Sequence, residues 1–239
     1  MLVKNIEGDF FNLEDIEDQD FLESPSNFVA TIVQQINSDI YRVIENYIDE
    51  NSVVIDAGAN IGYFSYYASP AVKEIHCFEP TPRTFRALEA MKSSANLENL
   101  VLNQAALGDH SGKCSFSICP DNETMNSVEG ANGAANGMYA DSIEVDCFTL
   151  ADYLNKNDIE TVDFIKIDIE GGEKYVLFDS SFEELNEKIK ALLIEVHLFD
   201  NHLTLQSSVD AARTRLSDCG YICEVLNHDT ILAINPSLV

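Results

Sequence analysis

From Ser52 onward the sequence alternates short apolar runs with stretches of helical spacing, and this restricts the fold more than any other feature of the 239 residues. Val53–Ala57, Glu74–Glu79, Leu100–Leu107, Val162–Asp168 and Ala191–His197 read as strands. Between them, segments near 62–68, after Pro82 (Phe85, Leu88 and Met91 on one face) and near 205–218 read as helices. Runs as continuously apolar as Val162–Asp168 belong to strands buried on both faces, the habit of parallel sheets. The alternation predicts an α/β chain with a mostly parallel sheet and helices on both faces. Tyr221–Leu226 and Thr230–Ile234, joined by Asn227-His228-Asp229, predict an antiparallel hairpin at the C-terminal end.

The first 50 residues have a different texture. Residues 1–25 carry eight acids and one base and read as a poorly packed leader. Phe28, Ile32, Ile36, Ile40, Val43, Ile44 and Tyr47 then recur at intervals that predict one or two amphipathic helices over 27–49. Residues 51–239 form the expected main domain. Within it, Lys113–Cys119 and Ser142–Phe148 predict strands flanking an Asn-, Gly- and Ala-rich loop, 120–141, that reads as mobile or as a lid.

Composition narrows the function. Forty-one acids face 14 Lys and Arg, a formal charge of −27. Nucleic-acid binders need a cationic footprint, so no nucleic-acid partner is expected. Hydrophobic residues make up 46% of the chain, too many for a disordered one. No apolar run approaches the roughly 18–20 residues of a membrane span. No secretory signal is evident at the start, so the expected location is cytoplasmic. Six cysteines without a Cys-x-x-Cys pair read as reduced, mostly buried thiols.

The chemistry-bearing motif is Asp56-Ala57-Gly58-Ala59-Asn60-Ile61-Gly62, at the end of the first strand of the domain. Glycines at a strand-to-helix turn let backbone approach a ligand closely. The dinucleotide fingerprint fails here, because Asn60 and Tyr63 stand where it requires glycine, and no Walker lysine is present. An acid at the loop's start disfavours a pyrophosphate and favours a cationic ligand. The next strand ends Glu79-Pro80, and an acid there can accept from both hydroxyls of a ribose. The pair asks for a nucleoside with positive charge, as S-adenosylmethionine has.

Three segments resemble the FkbM family of class I S-adenosylmethionine-dependent methyltransferases. They are Val54–Gly62, Asn103-Gln104-Ala105-Ala106-Leu107-Gly108-Asp109, and Asp163-Phe164-Ile165-Lys166-Ile167-Asp168-Ile169-Glu170-Gly171-Gly172-Glu173, in that order. The resemblance covers roughly residues 50–200. It implies a Rossmann-like, seven-stranded sheet with a C-terminal antiparallel hairpin. It also implies S-adenosylmethionine as cofactor, bound through Asp56, Gly58, Asn60 and Gly62 on its methionine part. Glu79, next to Pro80, would hold the ribose, and Gln104 and Ala105 would border the adenine. The implied reaction is O-methylation of a sugar or glycosylated small molecule. N- or carboxyl-methylation of another metabolite, or a binding protein without turnover, are the alternatives.

Strand alternation adds an independent reading. In a regular strand Phe164, Lys166, Asp168 and Glu170 share one face, as do Ala191, Leu193, Glu195 and His197. Lys166 and Glu195 are expected to be buried and, because lone buried charges are costly, paired with each other. Asp168, Glu170 and His197 fall at carboxyl strand ends, where open α/β sheets bind ligands. His197 is the expected base, with Asp168 or Glu170 as orienter or alternative base. Asp168, Glu170 and Glu195 could instead offer oxygens to a divalent cation such as Mg²⁺. Glu173 reads as a dipole partner at the start of the following helix.

Overall fold

The computed structural model describes residues 2–12, 40–119, 126–128 and 141–239. The seven strands of the main sheet are β3 (Val53–Ala57), β4 (Glu74–Phe78), β5 (Leu100–Asn103), β10 (Val162–Ile167), β11 (Ile189–Glu195), β12 (Ile222–Val225) and β13 (Thr230–Ile234). They lie in the order β12-β13-β11-β10-β3-β4-β5. All neighbours are parallel except β13, which runs antiparallel to both β11 and β12. This is the sheet implied by the resemblance, hairpin included.

The period of two sorts the core into two halves. Val54, Phe164, Ala191, Leu193 and Leu232 point to one face, where helices α1 (Tyr63–Ala68) and α2 (Pro82–Ser94) and the 3₁₀ helix Ile40–Asn46 pack. Ile55, Ile165, Ile167, Leu192, Ile194 and Ile231 point to the other. That face is covered by α3 (Leu150–Lys156), α4 (Glu173–Leu177), α5 (Leu205–Asp218) and the 3₁₀ helix Ser180–Glu187. On the first face Phe164 stacks on Phe64 and Tyr47, with centroids 6.4 and 6.1 Å away. None of the helices among the described residues is long and apolar enough to cross a membrane.

The third predicted strand, 100–107, is in fact two. β5 ends at Asn103, Gln104 is exposed, and β6 (Ala105–Leu107) joins a second sheet. There β6 pairs parallel with β9 (Asp141–Phe148), which pairs antiparallel with β7 (Gly112–Ile118), and β8 (Ser127–Val128) pairs with β7. Local pattern shows no seam because all three β6 residues are buried, as they would be in the main sheet.

The leader is described only over 2–12 and from Ile40. It is less loose than its composition suggests. β1 (Leu2–Lys4) and β2 (Phe10–Asn12) form a hairpin, and the Ile6 amide donates to the Tyr67 carbonyl at 3.0 Å. The amphipathic reading of 27–49 is met by the 3₁₀ helix over 40–46, with Tyr41 and Ile44 buried; residues 27–39 lie outside the described residues.

The glycine turn after β3 is the tightest point of the packing. Gly58 has φ +77°, and a Cβ there would stand 1.8 Å from the Asp168 carbonyl oxygen. Neither main chain can withdraw, since the Asp168 amide is itself bonded to the Ala57 carbonyl. Gly58→Ala is expected to cost more than about 3 kcal/mol, through backbone collision added to left-handed strain. Urea denaturation of the variant checks this; a loss under about 1 kcal/mol would contradict the close approach.

Candidate active site

A cleft of about 850 Å³, open solvent included, lies along the carboxyl edge of the main sheet. Gly58 and Asn60 of the glycine loop, Glu79 to Thr81 after β4, and Asp168 to Glu170 after β10 form its floor and one wall. Ala105, Ala106 and Leu107 of β6, with Phe116 and Val128 from the second sheet, form an apolar slot opposite. Glu195 closes the end. The described residues lining the cleft include four carboxylates and no Lys, Arg or His.

Lys166 organises the floor from beneath. It is buried, and its Nζ donates to the Gly58 carbonyl at 2.8 Å, with Asp168 at 3.3 Å and Asp56 at 3.6 Å. The expected Lys166–Glu195 contact is not what forms. In the register Lys166 stands directly beside Asp56 on β3, whereas its partner on β11 is Leu193, two residues short of Glu195. Burial works against the ammonium charge, but Asp168 and Asp56 outweigh it and hold the Lys166 pKa above its ordinary value. Glu195 is also less enclosed than expected, with its side chain 41% exposed at the cleft end.

Asp56 is wholly buried and does not line the cleft. Its Oδ2 accepts from Ser65 Oγ at 2.6 Å, and Lys166 faces its Oδ1. Gly62 also lies behind the cleft, at φ +90° before α1, with Leu88 where a side chain would go. Gln104 is exposed and outside the lining, while Ala105 is in it. Of the predicted cofactor residues, the structure brings Gly58, Asn60, Glu79, Pro80 and Ala105 to the cleft and leaves Asp56, Gly62 and Gln104 out of it.

Glu79 is held by two amides, Asn60 N at 3.1 Å and Thr81 N at 2.8 Å, one on each oxygen. The Thr81 side chain supports the same carboxylate, which as an acceptor of up to about four hydrogen bonds still has room for a further donor. Burial pushes its pKa up to about 7, although these amides favour the ionised form. Asn60 itself has φ +53°, a conformation that asparagine tolerates better than most residues.

The alternation expected past Ile167 breaks, because Glu170 has φ +53° and Gly171 φ +93°. This turn carries Glu170 to the cleft and brings its Oε2 within 3.5 Å of His197 Nε2. His197 itself stands behind the cleft-lining carboxylates. Its Nδ1 lies 3.1 Å from Glu173 Oε1, which also accepts from the amides of Ile169 at 3.0 Å and Gly171 at 3.3 Å. Glu173 stands in the first turn of α4, as the dipole reading expects, and it is also 0% exposed and ties the 168–171 turn to His197. Burial disfavours the imidazolium, but Glu173, Glu170 and Asp168 raise the His197 pKa well above its usual value. Glu170 is pushed up to about 7 by burial, and Glu195 to about 8, chiefly by repulsion from Asp168.

Several lining residues carried no signal in the sequence. Thr81, Thr84, Phe116, Asn126 and Val128 come from the start of α2 and from the second sheet. Asn126 falls within the loop read as a lid. Its Oδ1 accepts from the Cys119 amide at 2.7 Å, and its Nδ2 reaches Thr81 Oγ1 at 3.3 Å. Most of that loop lies outside the described residues.

Comparison with known proteins places this geometry in a lineage. The chain is 28% identical over 144 residues to Methyltransferase 1 of Beauveria bassiana, covering 54% of this chain and 58% of that one. It is 29% identical over 179 residues to the 31-O-demethyl-FK506 methyltransferase FkbM of Streptomyces tacrolimicus, covering 63% and 67%. It is 24% identical over 159 residues to the hexuronic acid methyltransferase AglP of Haloferax volcanii, covering 66% and 62%. The matches thus span about three fifths to two thirds of the relatives' lengths. The methyltransferase FkbM domain profile matches residues 56–223, from the glycine loop into the start of β12, and the chain belongs to that family.

Proposed function

We propose that this protein transfers a methyl group from S-adenosylmethionine to a hydroxyl of a sugar or glycosylated small molecule. The observation that carries the reading is the placing of Glu79 beside the glycine loop. There a buried carboxylate faces a cleft with an apolar slot on its far side. The cleft fits the cofactor on its own chemistry. Glu79 presents a carboxylate that can accept from ribose hydroxyls, Ala105 to Leu107 and Phe116 suit an adenine, and Gly58 and Asn60 would border the methionine part. When bound, S-adenosylmethionine supplies a methyl group on a sulfonium, whose positive charge suits four carboxylates.

The remaining work belongs to the chain. Methyl transfer needs an acceptor oxygen held about 3 Å from the methyl and in line with it. As the new C–O bond forms, the hydroxyl proton must pass to a base. Glu195 is placed for this role better than His197, since Glu195 lines the cleft and His197 lies behind the carboxylates. His197 then serves to orient its acidic neighbours. Four carboxylates and no cation among the described lining residues favour a neutral, hydroxyl-rich acceptor over an acidic one. A hexuronic acid, the substrate named for the Haloferax volcanii relative, suits this lining less well than a neutral hydroxyl compound.

Calorimetry with S-adenosylmethionine is the first test. Binding is expected, and its absence at millimolar ligand would remove the reading; transfer of labelled methyl to a panel of sugar acceptors then defines the substrate. Glu79→Gln is expected to weaken cofactor affinity about 10- to 100-fold, the worth of a hydrogen bond to a charged acceptor. Affinity of the unaltered protein should also fall with pH. Below about pH 7 Glu79 binds a proton that must leave before the carboxylate can accept from the ribose hydroxyls. The decline approaches tenfold per pH unit at most. A Glu79→Gln titration with the same slope as the unaltered protein would assign the pH effect elsewhere.

A further inference from the structure

We infer that Asp168, Glu170 and His197 form a binding site for one divalent first-row transition-metal ion at the edge of the cleft. One ligand atom from each lies within 4.8 Å of the others, so small side-chain adjustments bring all three onto a single ion. Glu195, the third member of the trio expected from sequence, is not part of this set and stays at the cleft end. An imidazole joined to two carboxylates suits such an ion better than the all-oxygen shells preferred by Mg²⁺ or Ca²⁺.

A second observation, outside the ligand set, points the same way. Glu173 is wholly buried, and its Oε1 is aimed at His197 Nδ1. Its Oε2 has no hydrogen-bond partner among the described residues. A carboxylate on the far nitrogen of a histidine fixes the ring's tautomer and orientation and leaves Nε2 to the metal, the arrangement found behind most metal-bound histidines. Here Nε2 does face inward, toward Glu170. The same Glu173 oxygen holds the amides of Ile169 and Gly171, so one buried side chain positions both the histidine and the strained turn that presents Glu170. Asp168, Glu170 and Glu173 outnumber the cations beside them, His197 and a Lys166 that Asp168 already shares with Asp56, and a divalent ion offsets that excess of negative charge. The ion's role, holding an acceptor hydroxyl beside Glu195 and making it more acidic, rests on the methyl-transfer reading; the site itself does not.

The test is a Mn²⁺ titration of chelator-treated full-length protein, with free Mn²⁺ read by its paramagnetic resonance signal. One equivalent is expected to bind. Asp168→Asn and His197→Gln should each weaken it at least tenfold. Glu173→Gln, which leaves all three ligands in place but alters the carboxylate behind His197, should weaken it about 10- to 100-fold. Asp210→Asn, an exposed acid on α5, should leave it unchanged. Thermal melts confirm that each variant is folded, and Glu170→Gln serves if one is not. No saturable binding, or binding equal in the site variants and the unaltered protein, would overturn the site and mark the uptake as diffuse attraction to an acidic surface. Cofactor calorimetry in the presence of chelator separates the two readings. Cofactor binding without Mn²⁺ binding refutes the metal site alone, and Mn²⁺ binding without cofactor binding upholds it while methyl transfer falls.

Discussion

The cleft depends on one buried cation. Lys166 sits in the middle of a parallel sheet, where an ammonium group is tolerated only if its charge and its protons are taken up. Asp56 and Asp168 take the charge, and the Gly58 carbonyl takes a proton. The consequence is geometric. β3 and β10 end side by side, and their following turns are joined through one side chain. The glycine loop can then pass so close to Asp168 that no Cβ fits between them. Removing Lys166 would leave the buried Asp56 and the cleft-lining Asp168 facing each other without a counter-ion, so the pair of turns and the cleft they frame stand or fall together.

This explains why an acid in the glycine motif need not touch a ligand. Asp56 reads in the sequence as the negative end of a binding loop. In the fold it is a structural counter-ion, with Ser65 on one oxygen and Lys166 near the other. The acids that do face the cleft come from later in the chain, at the ends of β4, β10 and β11. Glu79 and Asp168 lie just past the last paired residue of their strands, Glu170 follows in the turn after β10, and Glu195 is the last paired residue of β11, where side chains escape the sheet's two packed faces.

Strand faces were legible wherever both sides of the sheet are packed. Val54 and Phe164 on one face, Ile55 and Ile165 on the other, follow the period of two through to the strand ends. The hairpin of β12 and β13 was legible from the apolar run of buried β13 and from its turn residues, although β12 is a largely exposed edge strand. Legibility failed in three places, each with a local physical cause. The seam at Gln104 was hidden because strands of both sheets are apolar. The partner of Lys166 depended on register, which a single strand does not carry. The place of Glu173 depended on the left-handed turn at Glu170-Gly171, which reverses the direction the alternation predicts. The residues of the second sheet that line the cleft belong to the same class, since only the tertiary fold brings Phe116 and Val128 across from Glu79.

The formal charge of −27 divides accordingly. Most acids stand in water, where their repulsion is screened within about 10 Å and has little effect on chemistry. Those around the cleft are held by the backbone at distances they would not choose. Glu195 is pushed up by Asp168, and Glu79 and Glu170 by burial, so near neutral pH these groups share their sites with protons. A cation entering the cleft replaces those protons and relieves both penalties at once. The sheet's rigidity thus turns an unfavourable arrangement of like charges into selectivity: the ligands it favours are those that bring positive charge with them.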